Sequence, residues 1–412
     1  MAPTALFDKS FLQSLSVDES VVFDNFFSTI ICPVFYIETL ADLEKAVREG
    51  RTPEQEVGII ANKVPEMNVA PYMHHGNLAI RNLLGTTVPM DGRMLLAGRA
   101  VKKEGHIGVI HDPPPEAEAF QRWQARAFLD VERRFAKKWR EALNGIDLLA
   151  LASGVRALGV TPQTCTSLQD AKEICDRVIA NNKVPDLIKL ATMVLNVDAR
   201  IEQRALEGWK ASNQRSFTDY APYAAHVVAV EVFFQIALGA NHITTTRVSN
   251  RTDIAYLFYL PFCNVFVSSD RLHQRCAPLF LRNNQTFVWG QELKADLQRL
   301  VTQYKALPEF EREKGIRTFA PKPPRDDKNG LLGNLWDRHV GSWREDPKPI
   351  DPDLLERLGP ALRELIEQFA SAPEADRSEI ADDLSNVGMI EVNTVVRPQK
   401  GSFWQGPKRL AD

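Results

Sequence analysis

The chain has 412 residues, 44 % of them hydrophobic and 25 % charged, proportions that fit a soluble globular protein with room for two or three domains and a sizeable core. Fifty basic against 53 acidic side chains leave a net charge of −3, so the charge of the whole chain cannot hold a polyanion, which would need a local basic patch or metal ions. Five cysteines without a Cys-x-x-Cys pair argue against a zinc site or a disulfide frame. The N-terminus lacks a basic segment leading into an apolar one, and no run approaches about eighteen uninterrupted apolar residues. The expectation is a cytoplasmic protein with no membrane association.

In chain order, residues 1 to 48 read strand, helix, strand, helix: a short strand to Phe7, an amphipathic segment from about Ser10 to Phe27, a buried strand Ile31 to Tyr36, and a helix from Glu38. That alternation predicts a parallel α/β sheet. About 200 mostly helical residues follow, starting at the capping sequence Thr52-Pro53-Glu54-Gln55. Helices are expected at 53–63, 75–84, 116–143, 168–180, 187–211 and 220–239, with a less regular section at 85–115. The α/β rhythm returns with helix Asp253 to Phe262, strand Val265 to Ser268, helix Arg271 to Leu281, strand Thr286 to Trp289 and helix Gln291 to Tyr304. Beyond Ala306 the prolines of 320–330 and Pro347, Pro349 and Pro352 read as linker, followed by a helix at about 352–370 and an extended or mobile arm. The division is a discontinuous α/β domain at 1–49 and 219–310, a helical insertion at 50–218, and a linker with C-terminal extension at 311–412.

Four acids stand at the ends of these elements: Asp8 after the first strand, Glu38 after the second apolar run, Asp253 heading a helix, and Asp270 after Val265-Phe266-Val267-Ser268-Ser269. Taken singly, each reads as a turn residue or an ordinary first-turn helix acid. Together, strands that finish on carboxylates gather negative charge at one edge of a parallel sheet, where open α/β folds keep their binding crevice. A hard divalent cation is the usual remedy for such repulsion.

These segments resemble PIN domain nucleases. Asp8-Lys9-Ser10-Phe11-Leu12 is similar to the family's Asp-x-(Asn/Ser)-x-Leu opening, and Pro33 to Leu40 resembles its second strand leading to a helix-borne Glu. Asn250-Arg251-Thr252-Asp253-Ile254 resembles the segment that brings the third acid, and Val265 to Asp270 the strand ending in (Thr/Ser)-x-Asp. The resemblance covers roughly residues 3–48 and 245–306, and the long insertion is absent from a minimal PIN domain. It implies a PIN-like α/β/α fold and a hydrolase in which Asp8, Glu38, Asp253 and Asp270 bind Mg²⁺ or Mn²⁺ and activate water against a phosphodiester, RNA above DNA. Products would carry a 5′-phosphate and a 3′-hydroxyl. Ser10 and Ser268 would support the acids from behind, and Ser268 would orient a carboxylate or a bound water.

Other residues carry paired readings. Glu231, amid Val228, Val230, Val232, Phe233 and Phe234, should pair or face the site, because an unpaired buried charge is expensive. Arg247 and Arg251 lie close to Asp253 and are placed to meet a scissile phosphate. Asp42, on the helical face of Glu38, reads as a supplementary ligand or, ahead of that, as a solvated helix acid paired with Lys45, and His74, His75, His106 and His111 match no zinc spacing. His273 reads as a capping or packing residue with a chance of touching phosphate. Residues 120–141 hold a local excess of four positive charges interleaved with aromatics, a nucleic-acid track or a solvated helix face. Two further functions stay open: a non-catalytic interaction protein whose insertion and proline-rich part dock a protein partner or inhibitor, and a metal-dependent phosphoesterase for a small substrate. No phosphate loop, nucleophile elbow or dinucleotide fingerprint is present.

Overall fold

The computed structural model describes residues 2–41, 50, 52–92, 99–103, 106–111, 118, 122–123, 130–328, 330–345, 390–392 and 396–408. Its centre is a five-stranded sheet of β1 (Thr4–Phe7), β2 (Ser28–Ile31), β3 (Val69–Pro71), β6 (Val265–Ser268) and β7 (Thr286–Trp289) in the order β3-β2-β1-β6-β7. Every pairing in it is parallel. β1 and β6 are buried at each position, as strands covered by helices on both faces must be. A separate antiparallel pair, β4 (Arg99–Lys103) and β5 (His106–His111), is extended in parallel by β8 (Ile390–Val392). The chain is thus a mixed α/β protein, as the alternating elements predict.

The strand order reverses beside β1: the chain steps to β2 and β3 on one side and later to β6 and β7 on the other. The carboxyl ends of β1 and β6 therefore flank a topological switch point, the place where the connections part and leave a crevice. β3 comes from within 50–218, so that stretch contributes a strand to the sheet as well as helices.

Several boundaries differ from expectation. The second strand is Ser28–Ile31, and the apolar run behind it is already the helix α3 (Pro33–Leu40). Proline suits the first helical turn, where its missing N–H costs nothing, whereas apolar periodicity alone cannot separate a short buried strand from a buried helix. The segment 10–27 divides into α1 (Lys9–Ser14) and α2 (Val17–Phe26), because Ser16 and Glu19 form a reciprocal capping box that starts a new helix. Likewise 187–211 splits into Val184–Val194 and Ala199–Ala211, with Asp198 capping the second. Asp253–Phe262 is a short α-helix, Asn250–Ala255, running into a 3₁₀ turn Tyr256–Phe262 around Pro261, and 271–281 is α-helical only over Arg271–Cys276. Thr52 and Gln55 make the expected capping box of α4 (Pro53–Ala61), and His75–Leu83 forms α5. Helices Leu148–Ala157 and Leu331–Val340 lay outside the expected set. The expected helix at 352–370 and most of 116–129 fall outside the described residues.

Pro222–Gly239 is apolar and long enough to cross a membrane, yet most of it is buried against α5, Leu148–Ala157 and Leu168–Asn181. It is a core helix. All five cysteines are free and buried, four of them with the thiol pushed up to about 12 by burial: Cys32, Cys175, Cys263 and Cys276. They pack as small hydrophobes.

The C-terminal segment returns to the sheet as a clasp. Lys400, fully buried, donates to the Val64 carbonyl at 2.6 Å and lies 3.6 Å from Glu66, while Arg397 pairs with the same carboxylate. Asp24, also buried, accepts the backbone N–H groups of Glu66, Met67 and Asn68 and so shapes the loop that the clasp grips. Burial tends to neutralise Glu66, but Arg397 and Lys400 overcome it and hold the carboxyl below its usual range. Arg397→Ala is expected to destabilise the fold by about 2 kcal/mol, the scale of a hydrogen-bonded charge. Urea unfolding measures the loss, and limited proteolysis should show cleavage near 396–408 before the rest of the chain.

Candidate functional site

β1 delivers Asp8 directly into the switch-point crevice. There the residue caps α1, its Oδ1 accepting the Phe11 N–H at 2.9 Å. Its Oδ2 accepts the Ser10 hydroxyl at 2.6 Å and the Ser268 hydroxyl at 2.7 Å, the latter from the end of β6. Ser268 also accepts the Asp270 N–H at 2.9 Å, and Ser10 accepts the Ser269 N–H at 3.2 Å. Two strands distant in sequence are thus sewn together by the Ser10 and Ser268 hydroxyls around Asp8.

His273 is the residue that sequence reasoning undervalued. Its Nε2 lies 2.6 Å from the Asp253 carbonyl oxygen, which can only accept, so Nε2 carries a proton. Its Nδ1 lies 2.8 Å from Ser268 Oγ. The single Ser268 hydroxyl proton is already directed at Asp8, so Nδ1 must donate too. Both nitrogens protonated make an imidazolium, 1 % exposed and 3.3 Å from Asp8 Oδ2. Burial opposes that charge, but Asp8 outweighs it and raises the histidine to about 9. Burial equally disfavours the Asp8 carboxylate, and His273 with Ser10 and Phe11 holds it below the ordinary range. The one signal in the sequence was the spacing of His273 three residues after Asp270, one turn into the helix at the sheet edge.

The other three acids lie on α3 and on the helices that flank β6. Glu38, in the second turn of α3, accepts the Tyr256 hydroxyl at 2.8 Å, and Lys9 lies 3.7 Å from its Oε1. Asp270 caps the helix Arg271–Cys276, its Oδ1 accepting the Leu272 N–H at 2.6 Å. Asp253, half-buried in Asn250–Ala255, accepts no hydrogen bond on its carboxyl from the described residues. Burial raises it, the Glu38 and Asp270 charges raise it further, and His273 and Arg247 oppose them; the result is a carboxyl that titrates at about 7. Asp253 thus lies within electrostatic reach of Glu38 and Asp270, and Asp8 connects to it through Ser268 and His273.

Glu231 has another partner. It is 6 % exposed and forms an ion pair with Arg251, whose guanidinium lies over the Phe234 and Phe258 rings. No hydrogen bond links Glu231 to the four acids among the described residues, and Arg251 is engaged in this pair rather than presented to the crevice. Arg247 is exposed and close enough to Asp253 to lower its proton affinity. His75 stacks on Phe258 with ring centres 4.3 Å apart, and burial lowers it to about 3: a neutral core histidine. The basic helix occupies Asp130–Asn144, where Arg140 donates to the Ala41 carbonyl at the end of α3 at 2.7 Å while Arg134, Lys137 and Lys138 are exposed.

Among the described residues no three His, Cys, Asp or Glu side chains stand in a ligating arrangement. The donors are nonetheless of the kind a hard cation takes: carboxylate oxygens from Glu38, Asp253 and Asp270, the Asp253 carboxyl accepting no hydrogen bond from the described residues and its charge disfavoured by burial, Glu38 and Asp270. Asp8, saturated by protein donors, braces the group from behind. Compared with protein-family models, with characterised proteins and with solved structures, the chain matches none.

Proposed function

We propose that this chain is a divalent-metal-dependent nuclease on a PIN-like scaffold, acting on RNA in the cytoplasm. The observation that carries the reading is Asp253: a half-buried carboxyl that accepts no hydrogen bond from the described residues, pushed to about 7 beside Glu38 and Asp270 near the β1/β6 switch point. A protein gains nothing in stability from such crowding, so function is the reason to keep it. The strand order and the four acids on its carboxyl rim support the PIN-like reading, and the preference for RNA follows from that analogy.

Glu38, Asp253 and Asp270 would hold Mg²⁺ or Mn²⁺. Such an ion, when bound, would activate a water and offset the charge that builds on the phosphodiester. Asp8 keeps the crevice in shape through Ser10, Ser268 and His273. Asp253, raised to about 7 by burial and by its acidic neighbours, would give up its proton on taking the cation. Arg247 is exposed beside Asp253 for the scissile phosphate, and exposed Lys137 and Lys138 extend positive charge along the helix packed behind α3.

One observation favours a second reading, an interaction protein that keeps the scaffold without the chemistry. Asp8 is fully engaged, and the His273 imidazolium already supplies a buried positive charge at the centre of the acids. Labelled single-stranded RNA, duplex RNA, DNA and p-nitrophenyl phosphate, each incubated with Mn²⁺, Mg²⁺ or chelator, separate the readings. The nuclease reading expects metal-dependent cleavage of single-stranded RNA, abolished by chelator and lowered at least about 100-fold in Asp270→Asn. Cleavage that survives either treatment sinks it, and hydrolysis of the small ester alone transfers the site to a phosphoesterase. Silence on every substrate leaves the interaction protein.

A further inference from the structure

A second site lies at the opposite edge of the sheet, in a cleft of about 500 Å³. Ala2, which precedes β1, and Asn68, which precedes β3, both line it. Because the strands are all parallel, those residues mark the amino-terminal rim, away from Asp8 and Asp270 at the carboxyl rim. Nothing in the acidic site uses this cleft.

Among the described residues its lining includes two cations, Arg317 and Lys322, and no carboxylate, in a chain whose net charge is −3. Arg317 is exposed, and its guanidinium has no ion pair, hydrogen bond or ring partner among the described residues. Lys322 donates to the Trp343 carbonyl at 3.0 Å, which anchors the ammonium at the cleft and leaves two of its three N–H donors for a ligand. Behind these charges the wall is rigid. Trp336 donates its indole N–H to the Phe26 carbonyl at 3.0 Å and Trp343 to Asp337 at 2.8 Å, and the two rings meet edge to face with centres 5.5 Å apart. Asn25 and Asn68 are likewise fixed, their amide nitrogens donating to the Ala320 and Asp24 carbonyls. Their side-chain oxygens remain as acceptors suited to hydroxyl or amino donors.

We propose that this cleft binds a small phosphate monoester. A guanidinium fork and an ammonium balance a phosphate dianion, the pairing in which arginine and lysine bind most strongly. The volume exceeds that of a phosphate alone and falls within the range of small-molecule sites, roughly 300–1,000 Å³. The organic part of the ester occupies the remainder, against tryptophan and between the two asparagines. Because Asn25, Lys322 and both tryptophans are already held by the protein, little order has to be imposed on binding.

Isothermal titration of the full chain in chelator, followed in parallel by tryptophan fluorescence, tests the site with adenosine 5′-monophosphate, inorganic phosphate and adenosine. The monophosphate should saturate with an affinity in the micromolar to sub-millimolar range, ahead of inorganic phosphate, while adenosine binds at least about 10-fold more weakly. Arg317→Ala and Lys322→Gln, at side chains that are not buried, should each weaken the monophosphate about 10-fold. Asp270→Asn should leave it unchanged, which assigns the binding to this cleft and not to the acidic crevice. Unaltered binding in the Arg317→Ala/Lys322→Gln double variant, or no saturable binding of either phosphate up to about 10 mM, overturns the proposal.

Discussion

Replacing His273 with leucine is expected to destabilise the fold by about 3–5 kcal/mol near pH 6, because one partner of a buried, hydrogen-bonded ion pair is then left alone. Asp8 is 3 % exposed and His273 1 % exposed, so neither can fall back on water. The pH dependence distinguishes this from a packing defect. An acid held below 3.8, as Asp8 is, contributes stability that is present above that value and lost as pH falls through its lower folded pKa. A histidine raised from 6.5 to about 9 contributes stability that is complete below 6.5 and lost as pH rises through 9. The gap between parent and variant should therefore be widest between about pH 4 and 6.5 and close toward pH 9 and above. Urea unfolding at a series of pH values in chelator measures it. A gap that does not change with pH would mean that leucine merely fits badly and that the imidazolium carries no charge in the parent.

Asp253→Asn should act in the opposite direction. The carboxyl is raised from 3.8 to about 7, so the unfolded chain ionises it first and the folded parent loses stability as pH climbs through that window. Asparagine keeps the shape and removes the like charge beside Glu38 and Asp270. At pH 4 the two proteins should be equally stable, and by pH 8 the variant should lead by a few kcal/mol. Adding Mn²⁺ or Mg²⁺ should stabilise the parent more than the variant, because an ion bound only by the folded state shifts unfolding by mass action. Identical pH slopes in parent and variant would show that Asp253 is not crowded by its neighbours. Identical responses to the ions would remove it from the cation site without touching the pH result.

The alternation of elements, the positions of β1, β6 and β7 and the places of Asp8 and Asp270 could be read from the chain because they depend on local features: short apolar runs, two of which lead into a carboxylate. Glu38 was placed on the right element for a different local reason, since Pro33 starts α3 earlier than the apolar run suggests. Arg251 shows where local reading fails. Two residues from Asp253, it looked like a phosphate ligand, yet its guanidinium lies against Phe234 and Phe258 and neutralises Glu231. Proximity along a helix does not say which face a side chain takes, and the partner stands 20 residues away.

By itself the amino-acid sequence determined the α/β class, a helix at 220–239, the capping box of α4 and the four acids as candidates, since each is written in neighbouring residues. Tertiary structure alone decided that β3 joins the sheet, that the chain reverses its strand order beside β1, and that His273 pairs with Asp8. Those outcomes depend on which distant groups share a buried space. Charge, protonation and pairing there are set by neighbours that only folding brings together.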